Sequence, residues 1–165
     1  MIRVTQELLG SVPHADQLVR AGLRMVAALI IGTVIGLQRE LSHKPAGLRT
    51  HLLVALGTTL LVVAAVNSNM KSADVSRVIQ GLITGIGFLG GGTILKLTQE
   101  HEIRGLTTAA GIWLTAAASV AAGLGEFADA FIGVFFALIV LTVVGKLGGP
   151  RLDRNESAST DRHSL

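Results

Sequence analysis

One apolar stretch constrains this chain more than any other: residues 78–97, VIQGLITGIGFLGGGTILKL, rich in glycine and almost free of charge. Its length is about that of a helix that crosses the core of a bilayer. In water so many glycines would weaken a helix, at roughly 1 kcal/mol each. In lipid the backbone must satisfy its own hydrogen bonds, which favours a helix. The stretch therefore predicts a membrane-spanning helix.

Glycines recur four positions apart in two of the apolar stretches. Small residues at this spacing let a neighbouring helix approach closely, which is how membrane helices commonly pack. The candidate packing positions are Gly32, Gly36, Gly81, Gly85, Gly87 and Gly91. We expect the glycine-rich helix of residues 78–97 to be the packing centre and to contact at least two other helices.

The composition also indicates a membrane protein. Half of the 165 residues are hydrophobic, 15% are charged, and the mean hydropathy is +0.60, whereas soluble domains carry about 25% charged residues. The chain has no cysteine, which excludes disulfides, cysteine zinc sites and thiol chemistry. A pI near 10.0 would suit a nucleic-acid-binding protein. The positive charges lie between apolar stretches, however, so membrane topology explains them better and we expect no nucleic-acid partner.

Five apolar stretches predict an all-α fold, a compact bundle of five transmembrane helices in one domain of residues 21–147. The spans cover about residues 21–37, 52–66, 78–97, 106–123 and 128–147. Residues 1–20 form a polar N-terminal segment, and residues 148–165 a polar tail with too few apolar residues to fold alone. No signal-peptide core precedes the first span, so we expect that span to serve as an uncleaved signal.

Lysine and arginine are divided unequally between the two sides of this bundle. The N-terminal segment, the mouth of the first span, the 67–77 loop and the 124–127 turn carry five, whereas the 38–51 and 96–105 loops and the tail carry nine. The positive-inside rule places the richer side in the cytoplasm. The N-terminus is then predicted outside and the C-terminus inside.

Four motifs resemble the MgtC/SapB family of bacterial inner-membrane proteins. They are GTVIGLQRE, AGLRTH, DVSRVIQGLITGIGFLGGGTIL and IRGLTTAAGIW, in this order, within roughly residues 20–125. The resemblance implies a five-helix inner-membrane domain with a periplasmic N-terminus. It also implies a link to adaptation to low magnesium or to survival in macrophages, and hence to stress adaptation and virulence. For MgtC itself the implied partner is the F-type ATP synthase.

The chain departs from the family pattern at two positions and at its end. Gln38 stands where the family commonly has an acid, and Val75 where it has a proline. MgtC-like members often carry a cytoplasmic soluble domain after the membrane part, where this sequence has a short tail. We therefore expect a short, SapB-like member.

The motifs also supply the candidate site residues. These are Arg39, Glu40, Arg49, Asp74, Arg77, Arg104, Thr107, Thr108 and Trp113. The charged residues of the cytoplasmic loops either anchor those loops, with one surface ion pair, or bind a phosphate headgroup or a partner protein. Asp74 is a candidate N-cap of the third span and can pair with Arg77 at i,i+3.

Transport chemistry is the alternative. A magnesium pathway needs oxygen ligands, and transporters place ionisable groups near the bilayer midplane, but the acids of this chain lie outside the predicted span centres. We expect no catalytic, metal or cofactor site and no enzymatic activity. The sequence favours a regulatory membrane protein that binds another membrane component or forms a homo-oligomer. The alternative is a small magnesium transporter or channel, because the run Gly90–Thr93 can unwind and offer carbonyl ligands.

Overall fold

The computed structural model describes residues 15–97 and 102–144, which form five helices and one short hairpin. The helices are α1 (Ala15–Leu41), α2 (Leu48–Asn67), α3 (Ser72–Gly92), α4 (Leu106–Leu124) and α5 (Phe127–Ile139), and α5 continues as a π-helical turn, Val140–Val144. Between α3 and α4, strand β1 (Leu95–Leu97) pairs antiparallel with β2 (Glu102–Arg104). The fold is helical, as predicted, except for this strand pair. The predictions for residues 1–14 and for the tail lie outside the described residues.

Four of these helices are long and apolar enough to cross a membrane: α1, α2, α4, and α5 extended to Val144. The glycine-rich α3 is not among them, because Arg77, Gln80 and its glycines lower its hydropathy. Large apolar side chains cover the outside of the bundle; Leu53 is 65% exposed and Phe88 is 84% exposed. Such a surface suits lipid and not water. The chain is therefore a multi-pass membrane protein, and the fifth crossing stays a prediction.

Helix α4, and not α3, is the packing centre of the bundle. It contacts each of the other four helices, because its many alanines and small polar residues let all of them approach. Its Ala122 packs with Ile31 and Ile35 of α1 in one core cluster, and its Ile112 packs with Ile86 of α3 in another. The expectation that the glycine-rich helix is the centre is wrong, although α3 does contact two other helices, α2 and α4.

Helices α1 and α2 approach each other closely at two glycines of α1. A Cβ atom built on Gly32 would lie 2.9 Å from the backbone oxygen of His51, and one on Gly36 would lie 2.8 Å from the Cα of Leu48. Real Cβ atoms do not come this near to backbone, so only glycine permits the contact. These two glycines therefore allow α1 to pack closely against α2.

The glycines of α3 behave differently. For Gly81, Gly85, Gly87 and Gly91, no heavy atom of the described residues lies within 4 Å of an added Cβ beyond the local backbone. The prediction that they pack inside this bundle is wrong. The inward residues of α3 are instead Ile86 and Gly90. Spacing alone identifies a face of small residues, but it does not show whether that face points into the bundle or away from it.

Two helix ends also differ from the prediction. Helix α3 ends at Gly92 and not at Leu97, since three successive glycines weaken it and the Thr93 hydroxyl donates to the carbonyl of Gly90 at 2.8 Å. Helix α1 begins at Ala15, six residues before the predicted span, with Asp16 in its first turn. The polar start of α1 therefore projects beyond its apolar part.

Candidate functional site

A seam of buried polar side chains runs between α2 and α4, and α1 adds one residue to its end. Its members are Arg39, His51, Thr58, Thr59, Thr108, Thr115 and Ser119. On α2, Thr58 and Thr59 follow His51 by seven and eight residues. On α4, Thr115 and Ser119 follow Thr108 by seven and eleven residues. Each set therefore lies on one face of its helix. We call this set the polar seam.

Arg39, in the last turn of α1, is the one charged side chain at the buried end of the polar seam. Only 2% of it is exposed, and its Nη2 donates to the Thr108 hydroxyl at 3.0 Å. The sequence predicts a surface position for this residue, either as a loop anchor or as part of a binding surface, and its burial shows that the surface position is wrong. A buried cation is costly unless it is paired or hydrogen-bonded. Among the described residues no carboxylate forms a salt bridge with it, since the ion pair found there joins Asp74 to Arg77.

His51 lies fully buried in the first turn of α2, and its ring is hydrogen-bonded to a hydroxyl of α4. Its Nδ1 is 2.7 Å from the Thr115 hydroxyl, and that hydroxyl is 2.9 Å from the carbonyl of Gly111. A hydroxyl has one proton, and here it is directed at Gly111. We assign the ring proton to Nδ1, which then donates to the Thr115 hydroxyl and leaves Nε2 as an acceptor. Sequence reasoning missed this residue, although its spacing from Thr58 and Thr59 was a usable signal.

Two nitrogen atoms of this site lack hydrogen-bond partners among the described residues: Nε of Arg39 and Nε2 of His51. Both side chains flank Gly111. A Cβ atom added there would lie 3.6 Å from Cε1 of His51 and 4.0 Å from Nε of Arg39. The missing side chain of Gly111 therefore leaves space where the arginine and the histidine come together.

Glu40 follows Arg39 in α1 but performs a separate task. Its carboxylate accepts a hydrogen bond from the backbone N–H of Leu48 at 2.8 Å. That N–H is the first of α2, so Glu40 satisfies and neutralises the positive end of the next helix. Among the described residues Glu40 forms no ion pair, so the surface pairing that was one of its two expected roles is not seen. It stabilises the tight connection between α1 and α2.

The other candidates at this end of the molecule are surface residues. Arg49, Arg104 and Thr107 are exposed, beside the loop that joins α1 to α2 and the start of α4. Trp113 is about half exposed, at 49%, and lines an apolar pocket with Ile79 of α3. Of the predicted set, the structure thus brings Arg39 and Thr108 into direct contact.

Asp74 and Arg77 lie at the opposite end of the molecule, near the start of α3. They form the ion pair that their spacing predicts, with 2.9 Å between Oδ1 and Nη1. Helix α3 has its N-cap at Lys71, so Asp74 lies in the first turn and the prediction that it is the N-cap is wrong. The side chains are 44% and 77% exposed, which makes the pair a surface feature.

An open apolar groove separates α2 from α3. Gly57 of α2 and Gly81 and Gly85 of α3 face it, and leucines such as Leu53 and Leu89 form its walls. Because these glycines have no close neighbour, the groove is a smooth surface at which a further helix can approach both α2 and α3.

The fold and the polar seam together define a multi-pass helical membrane protein with a charged, hydrogen-bonded junction at one end of its core. A model of the MgtC family matches residues 25–149. The chain belongs to the MgtC family, and the resemblance drawn from its motifs is confirmed.

Curated relatives agree with this family. Protein SrpB of Synechococcus elongatus is 39% identical over 141 residues, which is 79% of this chain and 77% of SrpB. Protein SapB of Bacillus subtilis is 35% identical over 145 residues, 81% of this chain and 62% of SapB. YhiD of Escherichia coli K12 is 35% identical over 140 residues, which is 81% of this chain and 64% of YhiD. Its name describes it as a proposed magnesium transporter. The chain thus spans less than two thirds of SapB and of YhiD. No solved structure matches it.

Proposed function

We propose that this chain is a non-enzymatic regulatory protein of the bacterial inner membrane that acts by binding another membrane protein. Its N-terminus faces the periplasm and its C-terminus the cytoplasm, following the distribution of lysine and arginine. Its role lies in adaptation to low magnesium or in survival inside host cells, which is the role that the family resemblance implies.

The observation that supports binding is the outward face of α3. Gly81 and Gly85 point into the open groove beside α2, and Phe88 projects from the same helix with 84% of its surface exposed. In lipid, apolar surface gives no hydrophobic drive between helices, and small residues that permit close contact provide the association surface. The inner face of α3 packs against the bundle, and its outer face presents glycines. Such a helix is suited to binding a helix of a second protein.

The family resemblance suggests the F-type ATP synthase as the partner protein. A second copy of this chain is the other partner that fits the same groove, because a glycine-lined surface accepts any closely fitting helix. Both are non-covalent partners of α3, so one experiment on α3 distinguishes them by the mass of the captured product.

The second candidate function is magnesium transport. The name of YhiD favours it, as does the run of glycines that ends α3, whose carbonyls can serve as ligands when a helix unwinds. The buried end of the polar seam argues for the first function, because Arg39 is a permanent cation there. A divalent cation near a buried guanidinium is repelled, and the repulsion grows as the local dielectric falls.

Site-specific photo-crosslinking in living cells tests the proposed binding. Benzoylphenylalanine replaces Phe88 of α3 in one variant and Phe135 of α5, which is 61% exposed, in a matched control. We expect the probe at position 88 to give a discrete protein adduct and the probe at position 135 to give none. Equal adducts at both positions, or none at position 88 in cells grown at low magnesium, would overturn the proposal.

A further inference from the structure

The two unpartnered nitrogen atoms beside Gly111 are chemically complementary. Neither atom has a hydrogen-bond partner among the described residues. Nε of Arg39 carries a hydrogen and lacks an acceptor, whereas Nε2 of His51, in the tautomer assigned above, has a lone pair and lacks a donor. Both side chains are at least 98% buried. Buried polar groups are nearly always satisfied, directly or through an ordered water. A cation would fit the histidine but not the arginine, and an anion would fit the arginine but not the neutral histidine.

Water satisfies both groups, since it accepts from one and donates to the other. We propose that Arg39 and His51 hold one buried water molecule between them beside Gly111, and that this bridge joins α1 to α2 most strongly while His51 is neutral. A buried water needs at least two polar partners, and these two nitrogens provide them. This water site does not depend on whether the protein binds a partner or transports an ion.

The bridge completes a chain of hydrogen bonds across three helices. It runs from Thr108 of α4 to Arg39 of α1, through the water to His51 of α2, and back through Thr115 to Gly111 of α4. Each helix of the junction is thereby tied to the other two. Such a network fixes the relative positions of the helix ends more firmly than apolar contact alone.

Protonation of His51 would weaken this chain. Nε2 would become a donor, so the water would accept from two cations while its own protons lost their acceptor, and the second positive charge would stand beside Arg39. Of the groups that face His51, the guanidinium of Arg39 on α1 opposes a second positive charge, the backbone of Ala46 favours it, and Gly111 and Thr115 of α4 carry no charge. The carboxylate of Glu40 is engaged by the N–H of Leu48. The junction is therefore expected to loosen in acid.

A pair of substitutions at Gly111 tests the water site directly. A methyl group at this position meets the two side chains at 3.6 and 4.0 Å, so alanine fits without a clash and narrows the space. Serine adds a hydroxyl that can accept from Nε of Arg39 and donate to Nε2 of His51, and thus takes the place of the water. In a helix interior alanine is ordinarily the more stabilising residue, so the proposal predicts a reversal of the usual order.

The measurement is the thermal unfolding midpoint of the purified full chain in lipid nanodiscs at neutral pH, followed by the fluorescence of Trp113, the single tryptophan. We expect Gly111→Ser to unfold about 2–4 °C above Gly111→Ala, the shift that one hydrogen bond gives in a chain of this size. A serine variant that unfolds at or below the alanine variant would overturn the water site.

The acid dependence is tested with His51→Asn, which keeps an N–H for Thr115 but cannot take up a proton. The control is His43→Asn, at an exposed position whose φ of 53° asparagine accepts. Below about pH 6.5 we expect the wild type and the control to lose stability and His51→Asn to show no such loss. The same acid loss in His51→Asn as in the wild type would refute the role of His51.

If the variants do not accumulate, the unaltered protein still decides the question. Nitrogen chemical shifts of ¹⁵N-histidine-labelled chain distinguish the two neutral tautomers of an imidazole. Histidines in water favour the Nε2–H form, whereas the bridge requires one of the five histidines to be neutral with its proton on Nδ1. The absence of an Nδ1–H signal at neutral pH would contradict the proposal.

Discussion

Single glycines decide how closely α1 and α2 can pack. A methyl group on Gly36 would lie 2.8 Å from the Cα of Leu48, so Gly36→Ala must push the two backbones apart. Overpacking of this kind costs about 1–3 kcal/mol, and we expect a lower thermal unfolding midpoint in nanodiscs. Gly81→Ala is the matched control, because the added methyl meets no neighbour within 4 Å among the described residues. Equal midpoints for the two variants would show that the α1–α2 contact is looser than described.

The exposed pair Asp74–Arg77 separates a structural role from a functional one. Surface ion pairs contribute about 0.2–1 kcal/mol, so Asp74→Asn should accumulate in the membrane at the wild-type level. We expect it nevertheless to lose its support of growth at low magnesium, because the pair opens the most specific family motif of the chain.

The control for Asp74→Asn is Glu126→Gln, which removes an exposed acid at the same end of the bundle and should leave growth unchanged. Protein levels are measured by immunoblot alongside growth. Wild-type growth of a well-expressed Asp74→Asn strain would reduce the pair to a local surface contact.

Contacts between residues one helix turn apart could be predicted from the sequence, whereas contacts between residues of different helices could not. The pairing of Asp74 with Arg77 follows from their i,i+3 spacing. The burial of Arg39 depends on Thr108, which lies 69 positions away. A lone arginine at the end of an apolar stretch suggests a surface anchor, and only the meeting of three helices places this one inside.

At the level of whole elements, the number and order of the helices in residues 15–97 and 102–144 followed from hydropathy, whereas their roles did not. The alanines of α4 allow four neighbours to pack around it, and the glycines of α3 mostly face outward. Both compositions indicate close packing. The sequence does not say whether the partner lies in the same chain, and so α3 was mistaken for the centre.

Whether α3 crosses the membrane can be measured by cysteine labelling, because the chain has no cysteine of its own. We expect a membrane-impermeant maleimide added to intact cells to label Asn69→Cys, between α2 and α3. Gln99→Cys, after α3, and Lys44→Cys, between α1 and α2, should react only in broken cells, because their side carries most of the lysine and arginine. Labelling of Gln99→Cys in intact cells would mean that α3 does not cross.

At the scale of the whole molecule, a compact membrane bundle combines two unlike surfaces. Its inside is closed by glycine contacts and by the polar seam, in which Arg39 holds a permanent positive charge. Its outside presents the glycine-lined groove of α3. This arrangement supports the proposal of a protein that binds a partner within the membrane over that of a pathway for divalent cations.

Magnesium flux into proteoliposomes tests this central claim most directly. The purified chain is reconstituted into vesicles that contain a magnesium-sensitive dye, and an ionophore added at the end confirms that the dye responds. We expect an influx equal to that of protein-free vesicles, with or without a membrane potential. A saturable influx that depends on the protein and rises with its density in the vesicles would contradict it and establish transport instead.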